Sequence, residues 1–203
     1  MKKLLVILLI LVTCMTVVTG CGPSPKPSPE VVTFISDNDG NVFSNSTATF
    51  DGTEMGVGDR NDNVGLQALM SFTISLPAGA KIKTATLRLY NSDFPGASFP
   101  SNILVEHLHV DFGEIDPTDL AGDPGSLTSC GEFSSLNISG WNELAVTSSV
   151  KEDQTAERGK SQFRLYRIPL TDNDNQWDIN GFYTSEVVAE PSRKPELVIT
   201  YTK

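Results

Sequence analysis

Residues 70–91 read MSFTISLPAGAKIKTATLRLYN, and this stretch decides the fold. From Gln67 to Leu76, Leu69, Ser71, Thr73 and Ser75 alternate with Ala68, Met70, Phe72, Ile74 and Leu76. From Lys81 to Tyr90, Ile82, Thr84, Thr86, Arg88 and Tyr90 alternate with Lys83, Ala85, Leu87 and Leu89. A period of two over this length argues for half-buried strands rather than helix. Pro77-Ala78-Gly79-Ala80 supplies turn residues, with Gly79 able to take a positive φ. The stretch reads as the central hairpin of a β-sandwich.

Outward from it, short strand-like runs recur between turn signals. Val31–Ser36 is a first strand, broken by the turn cluster Asp37-Asn38-Asp39-Gly40-Asn41. Phe43–Phe50 is polar and β-prone, and Gly52–Gly65 is a loop dense in Gly, Asp and Asn. Asn102–Phe112 is a strand, Gly113–Gly131 is irregular, and Gly140–Val146 is a strand. Val150–Arg158 is the one short helix, ended by Gly159. Ser161–Ile168 alternates again, Thr171–Asp178 is an acidic loop, and Pro195–Thr202 is the last strand. Many short strands with Gly, Pro and Asn turns mean an all-β antiparallel sandwich or barrel.

The first twenty residues read as an address. Lys2 and Lys3 precede an apolar run from Leu4 to Val18, as in a signal peptide. Val18-Thr19-Gly20-Cys21 resembles a bacterial lipobox. The resemblance implies cleavage before Cys21 and acylation of its sulfur, hence a membrane-lipid anchor and a domain facing outside the cytoplasm. The apolar run is short for a spanning helix. Gly22–Pro29, GPSPKPSP, holds four prolines and is a stiff, extended tether of roughly 25–30 Å. The expected organisation is a signal peptide at 1–20, lipidated cysteine and tether at 21–30, and a single sandwich domain at 31–203.

The formal charge is −10 over 203 residues, and removal of the two leader lysines leaves 13 basic against 25 acidic side chains. Such a surface repels phosphates, so no nucleic-acid partner is expected. Of three cysteines only Cys130 falls in the folded part, so no disulfide within the domain is expected.

The order of motifs, VGDRNDN, then SFTISLPAGAKIKTATLRLY, VDFG, GKSQFRLY, TDNDN, GFYTSE and RKPELVITYT, resembles secreted, carbohydrate-binding-module-like domains of the DNRLRE type. The resemblance covers most of Val57–Tyr201. It implies a jelly-roll-like β-sandwich with an association, in some relatives, with polysaccharide. As a lone domain on a lipid anchor the chain departs from the usual pattern, and no catalytic partner on the same chain is expected.

Three constellations could carry chemistry. Asp59, Asp62 and Asn63 in one loop and Asp172, Asp174 and Asp178 in another offer the oxygens that Ca²⁺ needs. The same residues also form turns and cap their own backbone. The 172–178 segment lacks the glycine and distal glutamate of an EF-hand, and the resemblance implies a structural calcium ion. His107, His109 and Asp111 would share one strand face, where they read either as metal ligands lacking a distant fourth partner or as surface imidazoles on a solvated face. Trp177 in the acidic loop is the best candidate for stacking on a sugar ring, with Tyr183 and Trp141 next unless they are core aromatics. There is no G-x-S-x-G, so the expectation is no enzyme. The leading function is polysaccharide binding at the cell surface. The alternative is a structural or protein-interaction module, and a metal-dependent hydrolase on the acidic loops ranks last.

Overall fold

Alternation does place strands, but not always with the neighbours expected. In the computed structural model, residues 26–45, 49–50, 52–92, 101–116, 119, 127–133 and 140–203 are described; the leader and Cys21 lie outside them. The strands are β1 (Glu30–Ile35), β2 (Asn38–Phe43), β3 (Thr49–Phe50), β4 (Glu54–Asp59), β5 (Gly65–Thr73), β6 (Lys81–Tyr90) and β7 (Ile103–Leu108). They continue as β8 (Leu127–Phe133), β9 (Trp141–Ala145), β10 (Lys160–Tyr166), β11 (Asp178–Tyr183) and β12 (Glu196–Thr202). Helix α1, Thr147–Thr155, is the one α-helix among the described residues. No helix among them is long and apolar enough to cross a membrane.

All strand pairings among these residues are antiparallel and divide between two sheets. The smaller sheet has the order β1-β12-β6-β9; the larger runs β11-β4-β5-β10-β7-β8, with β2 on β5 and β3 on β2. One core joins both: Met70, Phe72, Phe163, Leu165 and Phe182 from the larger sheet meet Ala85, Leu87, Leu89, Leu197 and Ile199 from the smaller. Val146 and Val150 bring α1 onto it. This is the expected antiparallel, jelly-roll-like sandwich with one short helix.

The hairpin reading of residues 67–90 needs correction. β5 and β6 lie in different sheets. The turn forms, with Ala80 N–H donating to Pro77 O at 3.0 Å and Gly79 at φ +79°. The first strand stops at Thr73, and residues 74–80 carry the chain across the sandwich. Burial explains the choice. β5 is buried at each position from Gly65 to Phe72, so it needs cover on both faces, whereas β6 keeps one face half open.

A bulge settles why Ile82 sits on the polar side of the simple alternation. Thr84 faces Thr200, but Ile82 faces Tyr201, so the register slips at Lys83. The extra residue turns Ile82 inward and leaves Lys83 exposed.

Two stretches read as loops are strands. The cluster 38–41 is part of β2, paired along β5, and 54–59 of the stretch 52–65 is β4, paired with β11. Their polar groups replace missing apolar ones. The Asn41 amide donates to Gly56 O (2.6 Å) and Gln67 O (2.8 Å), and its Oδ1 accepts from Gly56 N (2.8 Å). The end of the irregular region 113–131 is also strand, as β8 begins at Leu127. The helix begins three residues earlier than expected.

Asp39 on β2 is buried, accepts from Ser185 N at 3.0 Å, and is pushed up to about 7 by burial with Glu186 nearby. Its folded value lies above its unfolded one, so its contribution is fully present below pH 4 and is lost as pH rises to about 7. Asp39→Asn, which keeps an acceptor for Ser185, should therefore raise stability at pH 7 by a few kcal/mol at most, at about 1.4 kcal/mol per pH unit. Urea unfolding of both proteins from pH 4 to 8 checks this; parallel curves would refute it.

Candidate functional site

The loop between β10 and β11 carries both the acidic run and Trp177, and it folds over the end of β4. Asp59 closes β4 and pairs directly with Asp178, which opens β11. Two buried carboxylates facing each other across an antiparallel pair repel unless something positive intervenes. Asp172 folds in from the loop, its N–H donating to Asp59 Oδ2 at 3.2 Å. One carboxylate oxygen from each of Asp59, Asp172 and Asp178 lies within 4.8 Å of the others.

Burial pushes Asp59 up, against hydrogen bonds from Thr171 and Asp172. Burial also pushes Asp178 up, helped by the charges of Asp174, Asp172 and Asp59. The Oδ1 atoms of Asp59 and Asp178 are buried without a hydrogen-bond partner among the described residues. Arg167, fully buried, brings one positive charge near both and donates to Asn180 Oδ1. Burial lowers its guanidinium to about 10, while Asp178 and Asp59 raise it. Three carboxylates against one guanidinium leave a charge deficit that suits a divalent cation. The all-oxygen donor set fits calcium.

Of the six residues singled out for calcium, Asp59, Asp172 and Asp178 come together, and Asp174 acts on Asp59 and Asp178 through its charge. Asp62 instead pairs with Arg60 at 3.1 Å. Asn63 forms a reciprocal pair with Asn175, donating to its Oδ1 and accepting from its N–H, both at 3.0 Å. That pair ties the two loops together. Asp172 Oδ1 and Asp174 Oδ1 cap N–H groups two residues on, so turn chemistry and clustering coexist.

Trp177 is 40% exposed and walls a groove of about 250 Å³ with Phe43, above an apolar floor of Met55, Leu66 and Ile179. The Arg60 guanidinium lies 5.8 Å from the Phe43 ring centre and 5.7 Å from that of Trp177. Arg60 Nε is buried with no hydrogen-bond partner among the described residues. The groove therefore offers two aromatic walls and a guanidinium between them. Phe43 and Arg60 escaped the sequence reading, because only the pairing of β2 with β5 and β4 with β11 brings them to Trp177.

Tyr183 is at the other end of β11, roughly 20 Å from Trp177 along the strand. It packs with Tyr90 (6.2 Å) and Arg193 (5.9 Å), and Tyr90 meets Trp141 edge-on at 5.4 Å. Trp177 and Tyr183 thus belong to separate surfaces. Cys130 is partly buried, with its thiol 3.2 Å from Ser149 Oγ, and burial pushes that thiol up. A scan against family models and a search of curated proteins both find no match to the chain.

Proposed function

We propose that this protein is a non-catalytic, lipid-anchored surface protein whose sandwich binds an extracellular polysaccharide in the Phe43–Trp177 groove. The observation that carries the reading is the arrangement of two aromatic walls around a guanidinium whose Nε–H is buried and unpaired. Sugar rings present apolar C–H faces to aromatic walls and hydroxyl oxygens to a cation lying between them. A calcium ion on Asp59, Asp172 and Asp178 would fix the loop that carries Trp177, since Trp177 directly precedes Asp178. The lipobox-like Cys21 and the proline tether suit a domain that reaches wall or matrix material.

The test is retention of the purified protein on insoluble polysaccharides and on a glycan array, in calcium and after EDTA. Trp177→Ala and Phe43→Ala should each weaken binding at least about tenfold, the equivalent of about 1.4 kcal/mol. Tyr183→Ala should leave it unchanged. EDTA should weaken binding, and calcium alone should restore it. A folded protein that no polysaccharide retains would transfer the weight to a protein-interaction module of the cell envelope.

A further inference from the structure

The histidine pair is not on a solvated strand face. His107 is fully buried on β7, which ends at Leu108, and His109 follows in the bend just past the strand. The two rings still meet edge-on, with centres 4.9 Å apart. Asp111 takes no part, being held by Lys160 (3.0 Å) and the N–H of Gly113 (2.9 Å). The carboxylate beside the pair comes instead from α1. Glu152 Oε1 lies 3.4 Å from His109 Nε2, and one nitrogen from each imidazole and one Glu152 oxygen lie within 4.8 Å of one another.

The next residue on the helix fixes the inner imidazole. The Asp153 carboxylate lies 2.8 and 3.0 Å from His107 Nε2. Asp153 is itself buried and accepts from Ser161 Oγ and from Arg158 Nη1 (2.9 Å). The carboxylate can only accept, so Nε2 carries a hydrogen, and the tautomer with that hydrogen bond holds its lone pair on Nδ1. Nδ1 is buried with no hydrogen-bond partner among the described residues. A buried acceptor with nothing to accept is costly unless a ligand uses it.

We propose that His107, His109 and Glu152 bind one first-row transition-metal ion, best matched by zinc, with water in a fourth position. Imidazole and carboxylate are zinc's donors, and three protein ligands leave one position open. A buried carboxylate on the far nitrogen of a ligating histidine is the outer-sphere support that zinc sites use to fix tautomer and ring. Ligands about 2.0–2.1 Å from zinc sit roughly 3.4 Å from each other. Closing from 4.8 Å asks little of His109 and Glu152, whose side chains are 22% and 43% exposed. The Thr128 hydroxyl, 3.1 Å from His109 Nε2, gives way. The ion would pin α1 to the end of β7.

The full chain, stripped by chelator dialysis and held in excess calcium to fill oxygen sites, is titrated with zinc by calorimetry and with cobalt by visible absorption. One equivalent of zinc should bind with roughly micromolar affinity or better, and cobalt should give the intense bands of four-coordination. His109→Ala should weaken zinc at least about 100-fold and Glu152→Gln about tenfold. Both positions are partly exposed, so these variants should remain folded. Asp59→Asn should leave zinc binding unchanged, which separates this site from the acidic one. Absence of stoichiometric zinc binding, or binding that survives both His109→Ala and Glu152→Gln, would overturn the proposal.

Discussion

Alanine at position 58 should remove roughly 3 kcal/mol or more of stability and, with it, the acidic centre. Gly58 has φ +140°, and a Cβ there would sit 1.8 Å from the carbonyl oxygen of Asp178. The Cα of Ile179 is 3.1 Å away, so the obstacle is backbone and no rotamer change relieves it. Strain at a glycine-only conformation costs about 1–3 kcal/mol and forced overpacking a similar amount. Relief requires parting β4 from β11, which moves Asp59 away from Asp178. Gly79→Ala is the control. It also has positive φ (+79°), but nothing lies within 4 Å of the added carbon, so roughly 1–2 kcal/mol is expected. Urea unfolding of the two variants decides the matter. Equal losses would mean that β11 yields easily at Asp178.

Asp153→Ala should cost about 3–5 kcal/mol, the range for removing one partner of a buried charged network. The substitution strands His107 Nε2 and Ser161 Oγ, both fully buried, and releases Arg158. The order of the groups is serine, carboxylate, histidine, with Asp153 in the middle, so the imidazole does not take the serine proton. Asp153 is a hub that holds α1 against β7 and β10. Asp153→Asn retains the shape and one acceptor and should recover part of the loss. It should also weaken zinc by about 10–100-fold, because the tautomer is no longer fixed. Thermal unfolding and zinc titration of both variants test the two roles separately. A loss below about 1 kcal/mol for Asp153→Ala would show that the helix is held by its apolar face alone.

What could be read from the sequence follows from what alternation encodes. β6 and β12 set a buried face against a more open one, β1 and β9 set half-buried Val32, Phe34 and Leu144 against exposed neighbours, and β10 alternates Phe163 and Leu165 with Gln162 and Arg164, so each was legible. β2 and β4 were not, because both are almost wholly buried yet composed of turn formers such as Asn38-Asp39-Gly40 and Gly56-Val57-Gly58. Asn41 holds these strands through side-chain bonds to backbone, which no periodicity records. Alternation also says nothing of partners, so the turn at 77–80 looked like a hairpin although its strands serve opposite sheets. Three of the calcium candidates were readable as carboxylates in two loops. Arg167 was not, because a buried guanidinium beside them depends on where β10 ends. Glu152, 43 positions after His109, was beyond any spacing rule.

Strand β1 follows directly on residues 26–29 and lies at the edge of the smaller sheet, paired with β12 from Glu30↔Tyr201 to Ile35↔Glu196. Glu30 also accepts from the Tyr201 hydroxyl at 2.8 Å and faces Lys203 at 3.2 Å. The two ends of the described chain are therefore clasped together, and a mechanical pull applied through residues 26–29 enters the molecule at this clasp. A load along the strand axis is shared by all the β1–β12 pairings at once. β12 then passes it to β6, its neighbour in the middle of the smaller sheet. Loading transverse to the strands would peel the same pairings one by one. The direction in which residues 26–29 leave Glu30 thus sets the force that the domain withstands.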